Sequence, residues 1–390
     1  MSTRLIDSLA ATERLSAVFS DASVLQAMLD FEAALARAEA RVGLITASAA
    51  SAIAAAARAE HFDCAQLARE SLRAGTPAIP LVRMLRERGL DSVHLGATSQ
   101  DVADTALILL LKQCRPILEA DHGRMVSSLT ALATEHAGTV MLGRTLLQPA
   151  PPVTFGLKAA GWLAAERRGW SRVASRFDEA LFLQFGGASG TLAALGERGL
   201  DVSEALAREL SLALPDAPWH THRDRLGALL AALSIYTASL GKMALDIALL
   251  MQHEVGEAAE PGGGGRGGSS TMPHKHIPTA CTLAIAAARR TPGLLANFLS
   301  GMLQEQERAA GGWQAEWSAI EGIVQAAGVA AEAMAEVAAG LTVDAGRMRA
   351  NIGATNGAAY SERARLGLEH DEAYLGSAEI FRQRLLKGEA

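Results

Sequence analysis

The chain has 390 residues, 49% of them hydrophobic, and is therefore too apolar to be disordered. A net charge of −6 and only 4% aromatic residues argue against a nucleic-acid partner, because a basic surface and stacking side chains are both lacking. Three widely spaced cysteines without a CxxC pair suggest neither a disulfide framework nor a zinc site, and acidic residues interrupt any signal-like apolar segment near the N-terminus. We expect a globular, cytoplasmic protein.

The first predicted element is an amphipathic helix in DASVLQAMLDFEAALARAEARVG, residues 21–43. Its candidate N-cap is Asp21 or Ser23, and Gly43 is a stop signal. Its apolar face is formed by residues that recur at helical spacing, namely Val24, Met28, Phe31 and Leu35.

Strand-like alternation is almost absent from the rest of the chain, and we predict an all-α fold. The turn at 96–100 interrupts the first helical region, and the segment 343–357 is interpreted as a break before a small C-terminal part. Long segments rich in Ala and Leu predict helices at roughly 102–136, 152–181, 223–257, 278–302 and 317–340.

The length of these helices favours an oligomer. A helix of about 30 residues spans about 45 Å, which is more than a compact monomer of this size needs. The segment 226–251 is long enough to cross a membrane, but it carries Lys242 and Asp246, and we interpret it as a buried bundle helix. A helix this apolar must be covered on all sides, which a second copy of the chain would do.

The loop GGGGRGGSSTMPHKHIP, residues 262–278, holds neither helix nor strand. It does not match the phosphate-binding pattern GxxxxGK[ST], and no strand precedes it. A flexible surface loop is the simplest alternative. Hydroxyl groups beside a lysine, directly before a helix, instead favour a lid that carries a proton-transfer group.

This loop resembles the GSSxMPxKxN signature of the fumarase/aspartase superfamily. Three further segments of the same superfamily follow the expected order, namely HLGATSQDVADTA (94–106), GRTLLQPAPP (143–152) and QFGGASGT (184–191). The resemblance implies a homotetramer with a 20-helix-type core and active sites shared between subunits. It also implies an N-terminal helical domain (1–108), a central long-helix bundle carrying the loop (109–342) and a small C-terminal helical domain (343–390).

Within the superfamily the chain resembles the bacterial 3-carboxy-cis,cis-muconate cycloisomerases. The segments that carry this similarity are LQPAPPVTFGLKAAGW, PWHTHRDRL, LLMQHEVGE and ERAAGGWQAEW. The similarity implies an intramolecular lyase that acts next to a substrate carboxylate. Adenylosuccinate lyase is the nearest alternative enzyme, and a binding protein without turnover is a third possibility that the intact loop signature argues against.

The resemblance also implies roles for single residues. Ser269 matches the loop base that exchanges the α-proton, with Ser270 as its neighbour, and Lys275 matches the lysine that holds a carboxylate. His94 matches a histidine near the reacting bond. The residues that correspond to substrate-binding positions are Thr98, Ser99, Gln100, Arg144, Gln148 and Arg308, with Asp101 at the start of the following helix.

Two HxH pairs suggest metal ligands, but no set of carboxylates or cysteines accompanies them. They are His220 with His222 and His274 with His276. The implied chemistry needs no metal, and no cofactor-binding loop is matched, so we predict neither. Only a small polycarboxylate substrate and further copies of the chain are expected as partners.

The chain departs from the superfamily pattern at two positions. Leu146 stands where fumarase-type lyases have the histidine of GxTHxQ, which removes an acid for a leaving group. Lactonization by the substrate's own carboxylate needs no such acid, since a carboxylate is already ionised at neutral pH. Ile277 replaces the signature asparagine, and the lost amide favours, as an alternative, a differently substituted muconate such as a sulfonated one.

Overall fold

The computed structural model describes residues 5–262, 267–268, 271–272, 274–368 and 373–388, and most of them are helical. The predicted all-α class is confirmed. The α-helices of the described residues are α1 (Glu13–Val18), α2 (Asp21–Arg41), α3 (Ala47–Ala56), α4 (Cys64–Ala74), α5 (Ala78–Arg86), α6 (Ser99–Glu135), α7 (Phe155–Ala180), α8 (Gly199–Leu210), α9 (Asp224–Leu250), α10 (Thr279–Ser300), α11 (Glu316–Gly340), α12 (Ala345–Gly353), α13 (Ser361–Arg365) and α14 (Ala378–Lys387).

The strands of the described residues form two small antiparallel pairs. The first pair is a hairpin of β1 (Val140–Thr145) and β2 (Gln148–Thr154), and the second joins β3 (Ala258–Ala259) to β4 (Thr342–Val343). The hairpin lies in a segment where no strand was expected. Its turn lacks the residue types that usually mark a hairpin in a sequence.

That turn consists of Leu146 and Leu147, which both have positive φ, at 52° and 62°. Thr145 pairs with Gln148, so only these two residues connect the strands. Two-residue turns with positive φ at both positions normally use Asn-Gly or Asp-Gly, because glycine has no Cβ to be strained there and Asn and Asp tolerate the left-handed region better than other residues. The strands thus depend on a turn that composition does not reveal, and both leucines are exposed, at 96% and 79%.

The five predicted long helices are present as α6, α7, α9, α10 and α11. Three local expectations were wrong. Helix α9 ends at Leu250 and not near residue 257. The predicted break at 343–357 contains α12, and the Asp344 carboxylate caps its first turn by accepting from the amide of Arg347 at 2.8 Å. Helix α2 is capped by Ser20, because its hydroxyl accepts from the amide of Ser23.

The chain divides into two compact units. Unit 1 comprises Met1–Ile117, Val173–Leu233 and Pro292–Gln325, and unit 2 comprises Leu118–Arg172, Ser234–Thr291 and Ala326–Ala390. In unit 1, α2 packs against α3 and α8, and in unit 2, α12 packs against β1. The division into three domains at 108 and 342 stays a prediction.

Helix α9 has the apolar character that the sequence indicated. By length and composition it could cross a membrane, as could Trp313–Gly340, but 61% and 78% of their most apolar windows are buried inside the protein. Core helices of globular proteins meet the same criteria. On the part of α9 in unit 2, Ile235, Leu245 and Leu249 nevertheless remain exposed.

Candidate active site

The TSQD segment begins α6, and a buried carboxylate holds it in place. Asp101 accepts from the amide of Thr98 at 3.0 Å, which caps the helix, and His220 Nε2 lies 2.7 Å from its Oδ1. It also accepts from the amides of Gly186 and Gly187, at 3.1 and 2.9 Å. The carboxylate is fully buried, and these donors compensate for its loss of contact with water.

The QFGG segment lies directly against this turn. Gly187 has φ +69°, and a Cβ there would lie 2.8 Å from the carbonyl oxygen of Gly96. A Cβ on Gly186 would lie 2.6 Å from Pro218. The motif therefore needs glycine for close backbone approach, so that its amides reach Asp101.

Arg308 joins the turn from the segment before α11. Its guanidinium donates to the hydroxyls of Thr98 and Ser99, the latter at 3.1 Å. These residues line one cavity of about 750 Å³ together with His94. The structure thus brings together four of the predicted site residues, all of them in unit 1, and their hydroxyl and cationic groups suit a carboxylate.

Gln100 lies behind the cavity and does not line it. It is fully buried, donates to the carbonyl of His220 at 2.8 Å and to Asp104 at 3.2 Å, and accepts from Arg308 Nε at 3.4 Å. Here it orients the arginine, and its predicted contact with substrate stays a prediction.

Asp104 belongs to a buried ion cluster beneath the cavity. Arg223 makes a bidentate contact with Asp104, with both distances at 2.8 Å, and its Nη2 lies 2.6 Å from Glu316. Burial alone would lower the pKa of Arg223, but the facing carboxylates outweigh burial and raise the pKa. Asp104 lies near the start of α6, Arg223 directly before α9 and Glu316 at the start of α11, so the cluster joins these three helix starts in unit 1. Truncating one partner would leave a charge buried and unpaired, which is costly.

His94 is held against the cavity by a second buried carboxylate. Its Nδ1 lies 2.7 Å from Glu32 Oε1, and Glu32 is fully buried in α2. The backbone of His94 is left-handed, with φ 64°, a conformation that costs energy for a residue with a Cβ. Burial lowers the pKa of His94, but the charge and hydrogen bond of Glu32 outweigh it, so the net shift is upward.

Another buried acid, Glu39, lies about two helical turns after Glu32 in α2. Neither of its carboxyl oxygens has a hydrogen-bond partner among the described residues. Burial, followed by the charge of Glu32, raises the pKa of Glu39 to about 8. Glu39 is therefore mostly neutral at pH 7, and Glu32 is the acid of α2 that faces His94.

Arg144 and Gln148 lie on the hairpin of unit 2. Arg144 forms a bidentate pair with the buried Glu257, at 2.6 and 2.8 Å, so its Nη1 and Nη2 groups are already engaged. Gln148 is exposed at the start of β2, beside the turn of Leu146 and Leu147. Substrate binding by either residue stays a prediction.

The signature loop precedes α10 in unit 2. Ser269 and Ser270 lie outside the described residues. Lys275 is exposed, and the ends of the loop meet where the amide of Ile277 donates to the carbonyl of Gly267 at 3.0 Å. The Glu260 carboxylate accepts from the amides of Ala280 and Cys281, which caps α10 after the loop.

Within the ranges that the structure describes, no group of three or more His, Cys, Asp or Glu side chains is arranged to hold a metal ion. His220, one of the histidines weighed as a ligand, is instead the buried partner of Asp101. Its role here is to complete the support of the TSQD turn.

The sequence motifs do not mark four charged residues at the cavity. Arg83, Arg86 and Glu87 line it, and Glu32 supports His94 from behind. No motif marks the two arginines. Glu32 and Glu39 had a signal, because they continue the buried face of Met28 and Leu35 at helical spacing, where a charged residue is unusual.

Comparison with known proteins gives a consistent set of relatives. A protein-family model described as Lyase matches residues 9–293. The 3-carboxy-cis,cis-muconate cycloisomerases of Bradyrhizobium diazoefficiens and Pseudomonas aeruginosa are 47% and 48% identical, each over 94% of this chain and over 84% and 81% of their own lengths. The crystal structure of the 3-carboxy-cis,cis-muconate lactonizing enzyme from Pseudomonas putida superposes with a TM-score of 0.93 at 40% identity and covers 98% of both chains.

The raised pKa of Glu39 predicts a pH-dependent stability. The folded chain keeps this proton up to a pH of about 8, whereas the ordinary pKa is 4.5, so the free energy of unfolding falls as pH rises through that window. Glu39→Met removes the buried acid at similar volume. The difference in melting temperature between this variant and the unaltered chain should therefore increase from pH 5 to pH 9. Each kcal/mol of pH-dependent destabilisation that the substitution removes corresponds to roughly 2–4 °C.

Thermal unfolding followed by circular dichroism across this pH range measures the effect. Glu204→Met, at an exposed site on α8, is the matched control, and its difference from the unaltered chain should change less with pH than that of Glu39→Met. Identical pH dependence of the two variants would contradict a protonated Glu39.

Proposed function

Because the chain belongs to the fumarase/aspartase lyase superfamily, we propose that it is a cycloisomerase that interconverts 3-carboxy-cis,cis-muconate and 4-carboxymuconolactone. This reaction belongs to the protocatechuate branch of the β-ketoadipate pathway. The observation that carries the proposal is the cavity of unit 1, where the Arg308 guanidinium holds the hydroxyls of Thr98 and Ser99. Arg86 and His94 line the same cavity, as do Arg83, which is paired with Glu70, and Glu87. The Arg86 and Arg308 guanidinium groups suit a substrate with carboxylates.

The reaction needs one addition and one proton transfer. A carboxylate oxygen of the substrate forms a C–O bond to an alkene carbon, and the π electrons move onto a neighbouring carboxylate to give an aci-carboxylate. The α-carbon then takes a proton, and the product has the atoms of the substrate acid. Cationic and N–H donors around the aci-carboxylate oxygens lower the barrier, because negative charge builds up there.

We assign the proton transfer to Ser269, with Ser270 as its neighbour, on the loop signature alone. Lys275 and the loop amides would stabilise the charged form of the serine and hold a carboxylate. Arg144 and Gln148 would contact the substrate from the hairpin. The chemistry of these groups suffices without a metal or cofactor, and none is part of the proposal.

Leu146 favours lactonization over fumarate release. It stands at the exposed tip of the hairpin, where a hydrocarbon replaces a proton donor. Departure of an amine needs an acid, whereas addition of an ionised carboxylate does not. Ile277, 43% exposed after the loop, favours a substituted muconate, for example a sulfonated one, as the second candidate substrate.

We further propose a homotetramer whose active sites combine residues from different copies. Support comes from α9, whose part in unit 2 exposes Ile235, Leu245 and Leu249. Beside it, α7 and α9 enclose a mostly apolar groove of about 390 Å³. Apolar surface of this kind is usual at contacts between copies of a chain. The three cysteines are all free, which fits the cytoplasm that we propose as its compartment.

The proposed reaction predicts a specific product. Purified protein should remove the diene absorbance of 3-carboxy-cis,cis-muconate and yield a lactone that has the mass of the substrate acid. Ultraviolet spectroscopy and mass spectrometry measure both. The rate should be the same with excess EDTA, because side chains of the protein supply the charges that the reaction needs.

Adenylosuccinate and a sulfonated muconate are the comparison substrates. Fumarate release from adenylosuccinate at a similar rate would contradict the assignment, as would loss of activity with EDTA. Activity on the sulfonated diene alone would move the assignment to the second candidate.

Shared active sites predict complementation between inactive variants. Lys275→Ala and Thr98→Ala should each lose most activity, since each removes a carboxylate-binding group. When the two variants are mixed, dissociated and reassembled, some active sites contain an unaltered copy of both segments. The activity should then rise at least about tenfold above that of either variant, which is part of the rate enhancement that such groups supply.

Native mass spectrometry shows whether mixed tetramers form. The control is Lys275→Ala reassembled with itself, which should gain nothing. Mixed tetramers without a gain in activity would contradict sites that are shared between copies.

A further inference from the structure

Glu32 has no assigned role, yet it is the residue that fixes His94. It lies on the buried face of α2, and its Oε1 is 2.7 Å from His94 Nδ1. Its other oxygen has no hydrogen-bond partner among the described residues. A buried carboxylate with so few donors is costly, so an ionised Glu32 depends largely on this one histidine.

This contact decides which histidine nitrogen is available to a ligand. An ionised carboxylate only accepts, so Nδ1 must carry a hydrogen and donate to Glu32. The nitrogen that remains is Nε2, and the ring lines the cavity that also contains Thr98, Ser99 and Arg308. The left-handed backbone of His94 costs conformational energy, and it persists only because the surrounding structure holds the residue in this position.

Charged groups on three elements act on His94. Glu32 of α2 and Asp101 of α6 favour its protonated form, whereas Arg86 of α5 and burial oppose it. Glu39, next along α2, is mostly neutral at pH 7 and adds little charge. The balance raises the pKa of His94, and Glu32 is the largest favourable contribution.

We propose that Glu32 is a positioning residue that holds the His94 ring with Nδ1 on its own carboxylate and Nε2 toward the cavity, where an Nε2–H donates to the substrate carboxylate that becomes the aci-carboxylate. This inference rests on the proposed cycloisomerase function. The Nε2–H bond strengthens as charge builds up on the carboxylate oxygens, so the pair acts mainly on kcat.

A second His–Glu pair in unit 2 provides a matched comparison. His122 Nδ1 lies 2.7 Å from Glu166 Oε1, the same distance as in the first pair. There the ring stacks on Trp170 at 5.1 Å, and Glu166 also accepts from the Tyr236 hydroxyl at 2.7 Å. This pair belongs to the packing of unit 2, and neither of its members has a part in the proposed chemistry.

The test replaces each glutamate by glutamine, which keeps the shape and an oxygen acceptor and removes the charge. Glu32→Gln should lower kcat by roughly tenfold to a hundredfold, with a smaller change in KM, since acid–base groups contribute a hundredfold or more. Loss of the carboxylate lowers the pKa of His94. The alkaline limb of the kcat profile should therefore move to lower pH, and part of the activity should return below it.

Glu166→Gln should leave kcat within about twofold and leave the alkaline limb in place, because it lies outside the proposed chemistry. The pKa of His94 itself is measured by mass spectrometry, from the pH dependence of exchange at its ring C2–H in deuterium oxide, which does not depend on activity. It should lie above the ordinary 6.5 in the unaltered chain and fall in Glu32→Gln.

Three results would overturn the inference. The first is that the unaltered chain is active but Glu32→Gln and Glu166→Gln lose the same amount of activity. The second is that the alkaline limb of the kcat profile does not move in Glu32→Gln. The third, which applies even if Glu32→Gln fails to fold, is a His94 pKa at or below the ordinary value in the unaltered chain. An unaltered chain that is inert toward the diene would instead overturn the proposed function, and the inference with it.

Discussion

The carboxylate of Asp101 is the group on which the rest of the candidate site depends. It is fully buried, and its donors come from the TSQD turn, the QFGG segment and His220. Removing the carboxyl group would leave the Thr98 amide, two glycine amides and a histidine without their acceptor. Each buried group that loses its partner costs about 1–3 kcal/mol. The hydroxyls of Thr98 and Ser99 hold their positions because this anion fixes the turn from below.

The polar groups of unit 1 are arranged by depth. Beneath the cavity, Arg223 is neutralised by Asp104 and Glu316, and Gln100 connects this cluster to Arg308. Arg83, Arg86 and Arg308 line the cavity together with one acid, Glu87, and Arg83 is already paired with Glu70. Arg86 and Arg308 therefore supply the positive charge that is available to a ligand. A site of this kind attracts a polycarboxylate and stabilises additional negative charge, and this is what addition of a carboxylate to a conjugated diene requires.

The sequence predicts the helical class, the long helices and the place of Thr98, Ser99 and Arg308 at one site, because signature segments and apolar periodicity are local properties. It does not predict the hairpin, since Leu146 and Leu147 occupy turn positions without the glycine or asparagine that normally marks them. Nor does it predict that Glu32 meets His94, which lies 62 residues away in the chain. The positions of Glu32 and Glu39 on the apolar face of α2 indicate buried acids, but only the folded structure shows that His94 is the partner of Glu32. For Ser269 and Ser270 the sequence remains the basis of assignment.

In the proposed reaction the substrate's own carboxylate closes the ring, and one proton is then delivered to carbon. The reaction of 3-carboxy-cis,cis-muconate in deuterium oxide tests this, with the lactone examined by proton NMR and mass spectrometry. We expect one carbon-bound deuterium at the position α to a carboxylate, in a single configuration, because a group of the protein that exchanges with solvent supplies it. A lactone without carbon-bound deuterium, or with the label distributed over both faces, would contradict proton delivery by the protein.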